Sequence, residues 1–332
     1  MFLAAIFSFL MNSLNALAVD EQSLPNALQK EILPYITQQA RLGEFYGVGR
    51  IKIGYYYIPA VQPQGVIVLV PGQSEPALKY SELLYDLKDS NYTIYVIDHR
   101  GQGISQRLLP DPEKSHVVRF SDYVDDLTTF INDIVKPQSY KKSLLLTHSM
   151  GGAVVAGYLQ RFPNSFNAVV ISSPMFEINT RPYTPAEATA LAFSLNVIGR
   201  GNDYAPTQKP YDPSEPFLNN ETTHSEGRFE MHKELLNLHP ELRVGGATAH
   251  WVKESLKFTK TLVQSHNVFQ VPTVILQAGQ DQLVLPAGQN KLCSNSAPHC
   301  RVQIVPGARH EIFMEQDAIR NLALAVVKSF LN

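Results

Sequence analysis

From residue 51 onward, short apolar runs rich in β-branched residues alternate with stretches whose apolar positions recur at helical spacing. That alternation predicts an α/β fold, a mostly parallel sheet flanked by helices. The runs Ile51–Ile58, Val66–Val70, Thr93–Ile97, Ser143–Leu146, Ala168–Ile171, Thr273–Leu276 and Val302–Val305 read as strands, the first of them an antiparallel edge. Helices are expected near Ala77–Ser90, Tyr123–Val135, Ala153–Phe162 and Ala318–Leu331. Between Pro174 and about Phe269 the alternation stops, and pieces such as Arg181-Pro182-Tyr183-Thr184-Pro185 and Tyr211-Asp212-Pro213 mix with helical segments. An insertion of this size over one sheet end predicts a lid. The expected organisation is therefore a core over 19–174 and 270–332, interrupted by a lid (cap) subdomain over 175–269.

The opening segment, MFLAAIFSFLMNSLNALAV, carries no charged side chain, and its apolar run from Phe2 to Met11 covers 10 residues. A bilayer core needs about 20. Ala16-Leu17-Ala18 followed by Asp20-Glu21-Gln22 fits signal peptidase cleavage, so residues 1–18 read as a signal peptide and the protein as exported, periplasmic or secreted. The lack of Lys or Arg before the apolar run keeps an uncleaved, membrane-associated segment as the alternative. With 28 Lys+Arg against 30 Asp+Glu the net charge is −2, which excludes nucleic-acid binding by bulk electrostatics, while a hydrophobic fraction of 44% supports a large core. Cys293 and Cys300, close in sequence, are expected to pair as a disulfide in an oxidising compartment. A zinc site using His299 would be short of ligands, and no metal or cofactor is expected.

The chemistry starts where the run Leu144-Leu145-Leu146-Thr147-His148 turns through Ser149-Met150-Gly151-Gly152 into a helical stretch. A serine on such a sharp turn stands clear of the sheet at a helix N-terminus, with small neighbours keeping the backbone free of clashes. Gly151 fits that requirement, whereas Thr147 stands where glycine is usual. In this arrangement one oxyanion donor is the N–H of the residue after the nucleophile, Met150, and the second comes from an early strand-to-helix loop, here Val70-Pro71-Gly72-Gln73, with Gln73 the donor. Asp98, Arg100, Gly101 and Gly103 read as a loop brace rather than as chemistry.

An elbow serine requires a base and an orienting acid, in the chain order Ser, acid, His. Asp281 follows the strand Val274-Ile275-Leu276 and a turn glycine, and His310 follows Val302–Val305 and Pro306-Gly307. Asp98 precedes the serine and Asp317 follows the histidine, so neither competes.

With those residues in place the chain resembles the bacterial lysophospholipase and monoacylglycerol lipase family of α/β-hydrolases, also grouped with serine aminopeptidase-like hydrolases. The likeness runs from Gly43 to the C-terminus and is carried by Ile97–Gly103, Val118–Leu127, His148–Gly152 with Leu159-Gln160-Arg161, and Ser173–Phe176. It implies an α/β-hydrolase fold, a catalytic triad of Ser149, Asp281 and His310, oxyanion donors at Gln73 and Met150, and ester hydrolysis through an acyl-enzyme. The implied substrate is a small amphipathic lipid. Met175, Phe176, Leu191, Phe193 and Trp251, with Ile178 and Leu195, are the candidate acyl-binding residues, and the lid would allow peripheral membrane contact. Two other readings stay open: an aminopeptidase or amidase using Glu177, Glu187 or Glu215 to hold the substrate amine, and a ligand-binding protein with a vestigial triad.

Overall fold

The computed structural model describes residues 18–331, so most of the expected signal peptide lies outside the described residues. Eight strands form one sheet: β1 (Arg41–Tyr46), β2 (Lys52–Ile58), β3 (Gly65–Val70), β4 (Tyr92–Ile97), β5 (Ser143–His148), β6 (Ala168–Ser172), β7 (Thr273–Ala278) and β8 (Cys300–Val305). Their spatial order is β1-β2-β4-β3-β5-β6-β7-β8. β2 is antiparallel to β1 and β4, and all later pairings are parallel. The first expected strand is antiparallel, as anticipated, but it is not the edge. β1 covers it, a strand hidden in the sequence because five of its six residues are not buried and Gly43 interrupts it. Such polar exposure is what an edge strand needs to avoid pairing with other chains.

The central strands bury both faces. Along β3, Val66, Val68 and Val70 point into one core cluster and Ile67 and Leu69 into the other, the period of two that a strand imposes. The helical segments α1 (Leu24–Ala27), a π turn (Leu28–Ile32) and α2 (Leu33–Gln39) run end to end. With α3 (Ser81–Asp86) and the C-terminal helix they cover the second face, burying Leu24, Leu28, Leu83 and Leu324. α4 (Ser121–Thr129) and α5 (Met150–Leu159) cover the first; every residue of α5 is buried, so its sequence is apolar on all sides.

Between β6 and β7 lie α6 (Pro185–Val197), α7 (Glu226–Leu238) and α8 (Ala249–Leu262). α6 opens on Thr184 in a reciprocal capping box with Glu187, and Thr248 caps α8 through the Trp251 N–H. α8 sends Trp251 and Leu262 into the same core cluster as α5, so this part of 175–269 also forms a wall of the core. α9 (Pro286–Ser294) carries Cys293, and Cys300 opens β8; the two form a disulfide with a Cα–Cα distance of 5.2 Å. α10 (Asp317–Ser329) completes the fold. Among the described residues, no helix is long and apolar enough to cross a membrane.

Candidate active site

Ser149 sits between the last residue of β5 and the first of α5 at φ 51° and ψ −119°, a conformation that a non-glycine residue adopts only under constraint. Its N–H is held by Ser172 O at 3.0 Å. The turn is possible because Gly151 lies against the backbone of β3: a Cβ there would fall 2.3 Å from Val70 O and 2.5 Å from Pro71 O. Thr147, in the position where glycine is usual, is accommodated by its hydroxyl donating to the same Val70 O at 2.9 Å.

The loops after β7 and β8 converge on this serine. Ser149 Oγ lies 2.9 Å from His310 Nε2, and His310 Nδ1 lies 2.8 Å from Asp281 Oδ2. Asp281 Oδ1 accepts the N–H groups of Leu283 and Val284 at 2.8 and 3.1 Å. Burial works to raise the pKa of this carboxyl, but the His310 hydrogen bond and the two amides outweigh it, and the acid is held below its usual range. The Asp281 side chain is therefore an anion at neutral pH, suited to fix the histidine tautomer and to stabilise an imidazolium.

Neither the Met150 nor the Gln73 N–H has a hydrogen-bond partner among the described residues. Gly72 brings its loop against the serine, since a Cβ there would stand 3.1 Å from Ser149 Cβ. Two side chains hold that loop. Glu75 Oε2 accepts the Gly72 N–H at 2.6 Å, while Gln102 donates to Gly72 O at 2.8 Å and Glu75 O at 3.0 Å and accepts from the Ser74 N–H.

Beneath the site lies a buried ionic tie that the sequence did not reveal. Lys79 Nζ bridges Glu75 Oε1 at 2.7 Å and Glu311 Oε2 at 2.8 Å, with only 3% of its side chain exposed. Tyr80 Oη donates to Glu75 Oε2 at 2.6 Å. Burial favours a neutral Glu75, yet the Lys79 ammonium prevails and holds the carboxyl well below its usual range. His148 packs on the His310 ring with centroids 4.8 Å apart, and burial pushes its pKa down to about 4, leaving it neutral. The one available signal was the Glu75-x-x-x-Lys79 spacing, a helical ion-pair pattern.

The expected Asp98–Arg100 brace is two separate braces. Asp98 accepts the N–H groups of Ala77 and Ile104, and Arg100 grips Asp126 with Nε and Nη2 at 2.6 and 2.7 Å. A Cβ on Gly103, whose φ is 54°, would overlap the Asp98 carboxyl.

The candidate acyl residues do not form one slot. Leu191 lines an apolar cavity of about 130 Å³ with Ile178, Ala188, Ala192 and Val252. Phe193 is 60% exposed, because on α6 it lies about 140° around the helix from Ala188. Trp251 is buried in the core with its indole N–H donating to Tyr123 Oη at 3.2 Å, so Val252, not Trp251, faces the cavity. Met175 donates its N–H to Ser149 O at 2.9 Å and Phe176 packs on Phe269, which places both behind the serine turn. Among the described residues, no group of three His, Cys, Asp or Glu is placed to hold a metal ion.

With this geometry in view, known proteins bear on the chain. Residues 61–317 match the family described as serine aminopeptidase, S33. Lysophospholipase L2 of Escherichia coli is 36% identical over 303 residues, covering 87% of this chain and 86% of that protein. A monoacylglycerol lipase of Mycolicibacterium smegmatis is 25% identical over 289 residues, covering 86% of this chain and 95% of that protein. A crystal structure of a monoglyceride lipase from Saccharomyces cerevisiae superposes with a TM-score of 0.70 at 19% identity, over 89% of this chain and 95% of that one, a likeness of fold.

Proposed function

This chain belongs to the serine aminopeptidase (S33) family of α/β-hydrolases and is a carboxylic ester hydrolase, and from that premise we propose that it cleaves the acyl ester of a lysophospholipid or monoacylglycerol through an acyl-enzyme on Ser149. The observation that carries the mechanism is the linear array Asp281, His310, Ser149 at 2.8 and 2.9 Å. His310 Nε2 takes the Ser149 proton as Oγ attacks the ester carbonyl, and the Gln73 and Met150 amides receive the developing oxyanion. Collapse breaks the acyl–oxygen bond, and His310 returns the proton to the departing alcohol. Water then deacylates the serine by the same route. Each oxyanion donor in chemistry of this kind stabilises the transition state by about 3–4 kcal/mol, so the two amides supply a large share of the rate enhancement.

The aminopeptidase reading is weaker because Glu187 closes the capping box of α6 and Glu177 walls neither the Leu191 cavity nor a second one on the His310 side, which leaves one of its three candidate acids, Glu215, facing a cavity. We also propose that the chain over 175–269 roofs the serine as a lid, and that Phe193, Val197 and Ile198, all exposed on α6 and its end, touch lipid surfaces. Export with removal of residues 1–18 remains part of the proposal, supported by the Cys293–Cys300 disulfide.

The test is fatty-acid release from labelled lysophospholipid and monoacylglycerol. Ser149→Ala should abolish it in a folded protein, and Asp281→Asn should lower kcat on the order of 10⁴-fold. Near-normal turnover by Asp281→Asn would remove the acid assignment, and ligand binding without turnover by the wild type would favour the vestigial reading.

A further inference from the structure

A second cavity, of about 480 Å³, lies on the His310 side of the site, within the roughly 300–1,000 Å³ range of small-molecule sites. Its walls include Glu311, which follows His310, and Leu283, two residues after Asp281. The side is chemically informative. The proton that His310 Nε2 carries must reach the departing oxygen, so the leaving half of an ester sits over the histidine while the acyl half stays with Ser149.

The two cavities differ in chemistry. The first is walled by Leu191 and its apolar neighbours with Arg181 as its one charged residue, whereas the second sets Lys209, Glu215, Glu221 and Glu311 beside Phe229, Leu283 and Met314. The chain passes from one to the other within three residues: Thr207 and Gln208 line the apolar cavity and Lys209 the polar one. Lys209 and Glu215 form an ion pair at the polar wall, with 64% and 27% of their side chains exposed. Water reaches both partners, so either can exchange the other for a ligand charge at small cost. His232 Nε2, shielded from solvent, has no hydrogen-bond partner, and burial pushes its pKa down to about 4, so it faces this region as a neutral imidazole. Glu311 shares the single Lys79 ammonium with Glu75, so this buried tie keeps a net negative charge at the cavity's inner end.

We propose that this cavity binds the head group of a zwitterionic lysophospholipid, with Lys209 taking the phosphodiester and Glu215 the ammonium. The inference rests on the lipid-ester reading above and adds to it the features that choose the head group. A head group carrying both signs meets the ion pair charge for charge. One with a phosphodiester alone leaves Glu215 and Glu221 facing a net negative ligand, and a bare glycerol engages neither charge.

Purified protein is assayed with three substrates of one acyl chain, presented as monomers: lysophosphatidylethanolamine, lysophosphatidylglycerol and monoacylglycerol, beside a p-nitrophenyl ester. The wild type should favour the ethanolamine lipid over the glycerol phospholipid by about tenfold in kcat/KM, the scale of one solvent-accessible charge-assisted contact. Glu215→Gln should erase that preference. Lys209→Met should lower the ratio of phospholipid to monoacylglycerol kcat/KM by about tenfold. Head-group preferences that stay the same in both variants, or a wild type that treats the two phospholipids alike, would overturn the inference while leaving lipid-ester hydrolysis standing. Cleavage of the nitrophenyl ester with no turnover of any of the three lipids would instead overturn the substrate reading beneath it.

Discussion

The floor of the site and the lid proposed as its cover are built from opposite materials. In the floor, Glu75, Lys79 and Glu311 are charges withdrawn from water and locked to one another at 2.7 and 2.8 Å. In the cover, the corresponding pair, Lys209 and Glu215, stands in solvent, and large apolar side chains such as Phe193 and Leu218 are exposed beside it. A buried ion pair contributes little net stability but tolerates almost no displacement, because either charge left alone in the interior is costly. An exposed pair holds its geometry loosely and yields to a competing ion. The contrast fits a division of labour in which the buried tie fixes the Gly72 loop and the His310 loop relative to each other and the proposed lid discriminates among substrates.

Breaking the floor should have the largest effect. Lys79 joins Glu75, which holds the Gly72 N–H, to Glu311, which adjoins His310, so one ammonium links the loop of an oxyanion donor to the loop of the base. Lys79→Met keeps the length of the side chain and leaves two carboxylates facing each other. Loss of one partner from such a pair costs about 3–5 kcal/mol, a fall in Tm of roughly 4–7 °C for a chain of this size. We expect kcat on a short ester to drop ten- to a hundredfold with KM nearly unchanged, since the defect lies in positioning rather than in substrate contact. Glu75→Gln added to Lys79→Met should recover part of the stability by removing one stranded charge. A single variant with wild-type Tm and kcat would show the tie to be ornamental.

The Cys293–Cys300 link tests the same division away from the site. It closes a short loop between α9 and β8, and loop-closure entropy assigns it about 2.5 kcal/mol at most. The double replacement with serine should lower the urea midpoint accordingly while kcat/KM on a short ester stays within about twofold. A larger loss of activity than of stability would extend the floor to include this corner of the sheet.

The parts of the molecule legible from sequence are those in which function follows chain order. Ser149, Asp281 and His310 each come directly after an apolar strand, and a strand followed by a tight loop is a local pattern, so the fold's bringing them within hydrogen-bonding distance was foreseeable. The Lys79–Glu311 bridge was not, because it joins the helical turn Ala77–Tyr80 to the loop after β8 and nothing in either segment specifies the other. β1 escaped notice since an edge strand with buried residues mostly absent carries no period-two signal. Phe193 and Trp251 group with Leu191 on hydrophobicity alone. Assigning a face needs the helix phase, which in α6 is set by the Thr184 cap and in α8 by the Thr248 cap.

That correction yields the smallest effect and the sharpest contrast within the cover. Leu191 lines the apolar cavity, and Phe193, two residues away, faces solvent. Each substrate methylene buried in the cavity should improve kcat/KM by about fourfold, the equivalent of ~0.8 kcal/mol, until the space is filled. Because the cavity is only about 130 Å³, the rise should level off after a few carbons. Leu191→Trp should bring the plateau to a shorter chain, and Leu191→Ala should lower the gain per methylene by removing part of the wall. Phe193→Ala should leave the profile for monomeric esters intact and weaken hydrolysis only when the same lipid is presented in vesicles, where an exposed aromatic side chain can enter the surface. If Phe193→Ala reshapes the monomer profile as strongly as the Leu191 variants do, then α6 turns its other face to the substrate in solution, and the cover is a moving element rather than a fixed wall.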